Sequence, residues 1–285
     1  MSKLLSKNKF YKIIDEIPPG NLKNKTEKLY FEKINLRGLD EMHDYSIIKE
    51  FYKYLEYRPF TKKIETEKYI KKLINLQKRN INGELFNISW FVRRKKDKKL
   101  IGTARLSNIN YNYNSAEWGF GIDPRLWKYG HVYEIMNTIQ LYSFNKLLLN
   151  RLWGATWKDN KRTISSIKLS GMIEEGIMRK ALRDYKGKYH DVIIYGMLKK
   201  DFLKKNKIKL NTKKKYSENN IIEIVRSVLR LPKKTIIRDM ETTKGWDSVS
   251  HFNIILSIEK KLNIKFTNQE ISDSTSINNI LKIIN

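Results

Sequence analysis

The 285-residue sequence contains no cysteine. Disulfides, thiolate metal sites and a protein thiol nucleophile are therefore excluded. Any thioester chemistry must borrow its thiol from a cofactor. Long apolar runs are missing too. No stretch approaches 18 apolar residues free of charge, as a membrane-spanning helix requires. The opening "MSKLLSKNKFYKIIDEIPPG" lacks an apolar core of signal-peptide length. A cytoplasmic location is expected. Acidic residues are scarce: 30 Asp and Glu stand against 58 Lys and Arg, a net charge of +28.

That charge is uneven. Residues 216–285 hold 10 basic and 8 acidic residues, a net of +2, so the remainder carries +26. A field of this strength draws anionic partners. The basic part shows no zinc-finger spacing or other nucleic-acid motif, and nucleic acid is not the expected partner. An anionic small substrate, such as a nucleotide derivative, accounts for the same field. The length allows two modest domains with their own cores.

Residues 1–28 read as a polar extension broken at Pro18-Pro19-Gly20. Strands are expected at 29–39, 87–94, 100–109, 115–123, 151–157 and 191–202. Helices are expected at 41–57, 66–79, 131–149 and 161–171, where apolar residues recur at helical spacing. This alternation predicts an α/β or α+β domain over 29–202. The Lys-rich stretch 203–216 reads as a solvated linker. Residues 217–285 read as three helical segments without a strand.

Three pieces of the first part resemble the GNAT acyltransferase superfamily, in its ribosomal-protein and amino-sugar N-acetyltransferase branch. They are "AEWGFGIDPRLWKYGHVYEIM", "DNKRTISSIKLSGMIEEG" and "KGKYHDVIIYGML". The second matches the branch pattern at Asn160, Thr163, Gly171 and Gly176, with Met172 where Phe is usual. The resemblance implies a mixed sheet with flanking helices. It also implies an acyl pantetheine thioester, such as acetyl-CoA, bound between two splayed central strands. The loop before the long helix would present N–H groups to phosphate, and a base would free the attacking amine of its proton.

The loop "WKYGHV" (127–132) keeps Gly130 but has Trp127 and Val132 where relatives carry a polar and a small residue. With His131, these are the candidate loop residues, and tight pyrophosphate binding is not expected of them. Glu117 matches a position where relatives often carry a base; an ion-paired surface carboxylate is the alternative. His43 and His131 are further candidates. The Tyr acid of many relatives corresponds to Ile167. Asn160 shapes the pantetheine tunnel or caps a helix.

In the second part, "GWDSVSHF" (245–252) opens an amphipathic helix. Asp and Ser there suit an N-cap. The surrounding pattern, from "NNIIEIVRSVLRL" through "IKF" to "SDSTSINNILKII", resembles an acyl carrier protein, a small all-α bundle. The resemblance makes Ser248 the attachment point of 4′-phosphopantetheine and Asp247 a guide for the modifying phosphopantetheinyl transferase. An acyl-loading enzyme is a further implied partner.

Taken together, the two resemblances imply an N-acyltransferase fed by its own carrier, with a primary amine as acceptor and a nucleotide-linked amino sugar as first choice. The alternatives are a CoA-dependent protein N-acetyltransferase whose carrier serves another enzyme, and a GNAT fold that only docks.

Overall fold

The computed structural model describes residues 5–16, 18–19, 28–207, 216–262 and 264–285. Most of the expected linker, 208–215, and parts of the N-terminal stretch lie outside them. The first half is a seven-stranded sheet made of β1 (Leu29–Lys33), β2 (Ile88–Arg94), β3 (Leu100–Asn110), β4 (Ser115–Ile122), β5 (Arg151–Trp157), β6 (Ile173–Arg183) and β7 (Tyr189–Leu198). The strand order is β1-β2-β3-β4-β5-β7-β6. Every pairing is antiparallel except β4 with β5.

The exception shapes the molecule. β4 and β5 pair only through Ser115–Glu117 and Arg151–Trp153, although both strands run on. Trp118 is the wedge. Its buried indole lies across Gly154, where an added Cβ would come within 2.5 Å of the ring. Beyond it the strands diverge, and alternate backbone N–H groups of 118–122 face the gap instead of a neighbouring strand.

α1 (Lys7–Glu16) lies in the segment expected to be a polar extension. It buries Phe10, Tyr11 and Ile14 in the main core beside Leu85 and Trp90. Burying Phe10 and Ile14 contributes about 2 kcal/mol each. α2 (Leu39–Ser46) stops well short of the expected end at 57. Tyr52 Oη donates to the carbonyl of Ser46 at 2.7 Å, and Ser46 Oγ donates to that of Met42 at 2.7 Å. Side chains thus satisfy the last carbonyls, and the chain turns through Lys49–Tyr52. α3 (Lys63–Leu76) packs with α2 over the sheet, sharing a cluster with Phe91 and Leu100.

α4 (His131–Leu141) is buried on all sides. Ile135, Met136 and Ile139 join the sheet core, whereas Tyr133 joins the C-terminal cluster. α5 (Lys161–Leu169) follows β5. β7 ends at Leu198, and 199–207 form the helix α6, where strand was expected to 202 and linker beyond it.

Among its described residues the C-terminal part has four helices where three segments were expected: α7 (Glu218–Leu229), α8 (Ser248–Leu262), α9 (Asn268–Asp273) and α10 (Ile277–Ile284). Ile221, Ile254, Ile255, Ile258 and Ile280 fill their common core. Among the described residues no helix is long and apolar enough to cross a membrane.

Candidate active site

Beside β4, past its fork from β5, lies a cleft with two chambers, which share the lining residues Phe51, Leu55, Phe120 and Gly121. The larger chamber, of about 260 Å³, is walled by Trp127, Val132, Asn160, Arg162, Thr163 and Val249. The smaller, of about 70 Å³, is walled by aromatic side chains, among them Tyr52, Tyr57, Phe60 and Tyr69, with Arg105 beside them.

Local chemistry fixes each wall. Asp123 accepts from the backbone N–H of Arg125 and starts the short turn Pro124–Tyr129. Gly130 then takes φ of +69°, a left-handed conformation that costs glycine little, and releases the chain into α4. Trp127 Nε1 donates to the carbonyl of Ile122 at 3.0 Å. The Arg162 guanidinium stacks over its ring at 4.8 Å. Asn160 caps α5, accepting from the N–H of Thr163 at 3.3 Å. The capping role is therefore observed, and the same residue also lines the larger chamber.

Gly130 and His131 do not line the cleft. Gly130 faces Phe252 and Ser272 of the C-terminal half. His131 is buried, and desolvation with Arg94 and Lys28 nearby lowers its pKa to about 4. His43 is held by Thr66 Oγ1 at 2.9 Å, off the cleft. Glu117 lies in the paired, closed end of the β4–β5 fork. Its carboxylate accepts from Asn108 Nδ2 at 2.6 Å. Asn108 sits in the irregular stretch where β3 and β4 lose register, which draws Glu117 to that edge. The expected base is therefore not brought to the cleft. Ile167 is fully buried in the core.

Asp247 caps α8, its Oδ1 accepting from the N–H of both Val249 and Ser250 at 2.9 Å. Ser248 follows as the first residue of the helix, 3% exposed. Its neighbour Val249 forms part of the cleft wall. The contact is secured by Phe252 against Tyr133, with ring centroids 6.2 Å apart, by Leu169 in the same cluster, and by Ser165 Oγ donating to Asn253 Oδ1 at 3.3 Å. The structure thus gathers Val132, Asn160 and Thr163 around one cavity, with the residue after Ser248 in its wall.

The aromatic chamber and Arg105 were not expected. Their signal is "EFYKYLEYRPF" (50–60), which puts five aromatic residues into eleven positions. Its spacing reads as helix, which hid the turn. Tyr52, whose pKa burial raises to about 12, stays protonated at neutral pH and donates as described. Lining the two chambers are Lys53, Arg105, Lys161 and Arg162 against one carboxylate, Asp159.

Comparison with known proteins adds to this geometry. The pattern of the Acetyltransferase (GNAT) domain family matches residues 28–173. The uncharacterised N-acetyltransferase p20 of Bacillus licheniformis is 27% identical over 180 residues, 62% of this chain and 96% of that protein. The spermidine N(1)-acetyltransferase of Vibrio cholerae is 28% identical over 116 residues, 41% of this chain and 66% of that one. The solved structure of the Vibrio cholerae spermidine N-acetyltransferase with CoA and spermine superposes with a TM-score of 0.52 at 23% identity, over 62% of this chain and 98% of that one. A GNAT-family acetyltransferase from Bacillus anthracis gives 0.53 at 19% identity, over 62% and 98%.

Proposed function

Because the chain belongs to the GNAT acetyltransferase family, and is accordingly an acyltransferase, we propose that it moves an acyl group from a thioester carried on Ser248 to a primary amine. One observation carries the reading: Val249, next to Ser248, walls the cleft that the forked strands open. The α8 N-terminus fits a phosphopantetheine. The positive end of the α8 dipole favours a phosphodiester on Ser248, although Asp247 already takes the N–H groups of Val249 and Ser250, and the chamber of about 260 Å³ has room for the end of an arm. When attached, the arm would supply the thiol that the cysteine-free chain lacks.

The chain's own residues do the rest. Phe120, Val132 and Trp127 exclude water from the fork. Backbone N–H groups of 118–122 face the place where acyl oxygen gains negative charge. The acceptor nitrogen bonds to the acyl carbon, the carbon–sulfur bond breaks, and the proton lost by nitrogen goes to sulfur through solvent. No carboxylate lines the aromatic chamber. Across the two chambers four basic side chains outnumber the one carboxylate, Asp159, which disfavours an ammonium and holds more of the acceptor as the free amine that attacks. That field also argues against a polyamine, the acceptor in the name of the Vibrio cholerae relative. A nucleotide-linked amino sugar is the first acceptor class to try.

The test uses the whole chain, loaded with an acetyl-pantetheine arm by a phosphopantetheinyl transferase and mixed with amines. Because the chain lacks cysteine, an Ellman reagent reads the released thiol without background. Loaded wild type should transfer, and Ser248→Ala should not. Equal transfer by Ser248→Ala from free acetyl-CoA would replace this reading with the second one, an acyl-CoA donor. The CoA in the related Vibrio cholerae structure favours that alternative.

A further inference from the structure

We infer that the C-terminal half decides which donor the cleft accepts: Phe252 and Ser272 cover the start of α4, and the nucleotide head of a free acyl-CoA finds room there only when the halves part. This rests on the acyl-transfer reading above and concerns the donor side of the same cleft.

A thioester enters the fork end-on, so whatever carries it stays at the rim. Trp127 and Val132 line the larger chamber, and Gly130 lies between them in the chain. A head group leaving between them passes the start of α4. That place suits an anion. α4 is 11 residues long, and its dipole is positive at this end. Gly130 has no side chain to crowd a phosphate, and Lys28 and Arg94 add positive charge around His131. Trp127 and Val132, from which weak phosphate binding was expected, face the chamber and leave the other side of Gly130 alone.

What stands on that side is the C-terminal half. A Cβ on Gly130 would lie 3.8 Å from both Phe252 Cζ and Ser272 Oγ. This is ordinary contact, with room for a methyl group and none for a phosphate. Phe252 also packs on Tyr133, and His131, Val132 and Tyr133 are all buried. α9 adds a carboxylate, Asp273, 4.0 Å from Lys28. A pyrophosphate brought here would lose its water against a phenyl ring and meet like charge. The chamber of about 260 Å³ inside stays open, with Val249 in its wall. A pantetheine without a nucleotide therefore fits the joined halves, and CoA fits the parted ones. Joining and CoA binding oppose each other, and linkage makes each weaken the other by the same factor.

The test is calorimetry on the full chain, with CoA and pantetheine as probes. Every chain carries Ser248→Ala, so no arm takes part and a failed carrier assignment leaves the result unchanged. Leu169→Asp parts the halves from the side of the first domain. Phe252→Ala removes the ring over Gly130 even where the halves stay joined. Hydrogen exchange along α8 reports parting and shows that the helix remains folded. CoA should bind the Leu169→Asp chain at least roughly tenfold more tightly than the chain without it, a factor usual for coupled equilibria. Phe252→Ala should gain by a smaller factor. Pantetheine, which has no nucleotide, should gain in neither. Equal CoA affinity in all three chains, no CoA binding in any of them, or a gain for pantetheine as large as that for CoA would overturn the inference.

Discussion

Residues 216–285 carry a net charge of +2 and the rest of the chain +26, yet the two halves are not joined by acid–base recognition. Tyr133 and Leu169 of the larger half enter the apolar core of the smaller one beside Phe252. Lys28 and Asp273 approach at 4.0 Å at the edge, and exposed pairs of this kind contribute 0 to about 1 kcal/mol. The larger half sets four of its cations in the cleft walls, and the smaller half presents an apolar patch that would be a poor long-range magnet. If the smaller half is the proposed carrier, a free copy of it would find its partner slowly. A carrier on the same chain needs no steering, because the tether sets its local concentration. Burial of Ser248 in the joined state adds a condition to the proposal: for a modifying enzyme to reach the hydroxyl, the halves would have to part.

The contrast can be broken from either side. The largest expected effect is on the larger half alone. Gly154→Val drives a side chain into the Trp118 indole and should cost that half about 3 kcal/mol or more, lowering its melting step by calorimetry. Ser248 should still take the arm. A melting curve unchanged from wild type would remove Trp118 as the wedge. Next is the junction. Leu169→Asp puts a charge into the shared core and should separate the halves. Transfer from the loaded chain should fall roughly tenfold as the docked geometry is lost, while loading at Ser248 should become faster. Both rates moving down together would point to misfolding instead of separation. The smallest effect is expected at Glu117. With its carboxylate tied to Asn108 outside the cleft, Glu117→Gln should change transfer less than about twofold; a loss of a hundredfold or more, the scale of a general base, would return it to the mechanism.

Sequence and structure agree where a short motif carries its own local physics. Asn160 followed by Thr163, and Asp247 before Ser248, are capping patterns, and both helices begin where those residues stand. β5 occupies the residues expected, 151–157, because its neighbours bury it on a regular alternation. Other features had no such signature. β6 is exposed along almost its whole length, so "IEEGIMRKALR" shows no alternation from which to read a strand. The aromatic run at 50–60 has helical spacing, yet long-range contacts to the cleft and the Tyr52–Ser46 bond take it out of the helix. Glu117 could be aligned to a motif but not oriented, because the register shift at Ser107–Asn110 depends on pairing with another strand. Arg105 stands in a strand of ordinary composition, and only the fold shows that it lines the aromatic chamber.

The most direct measurement is the intact mass of the full chain after co-expression with a phosphopantetheinyl transferase, beside Ser248→Ala. The account predicts a gain of one phosphopantetheine in the wild type and none in the variant, with any retained acyl group identifying the natural donor. No gain in either chain would contradict the tethered donor and leave free acyl-CoA as the source of the acyl group.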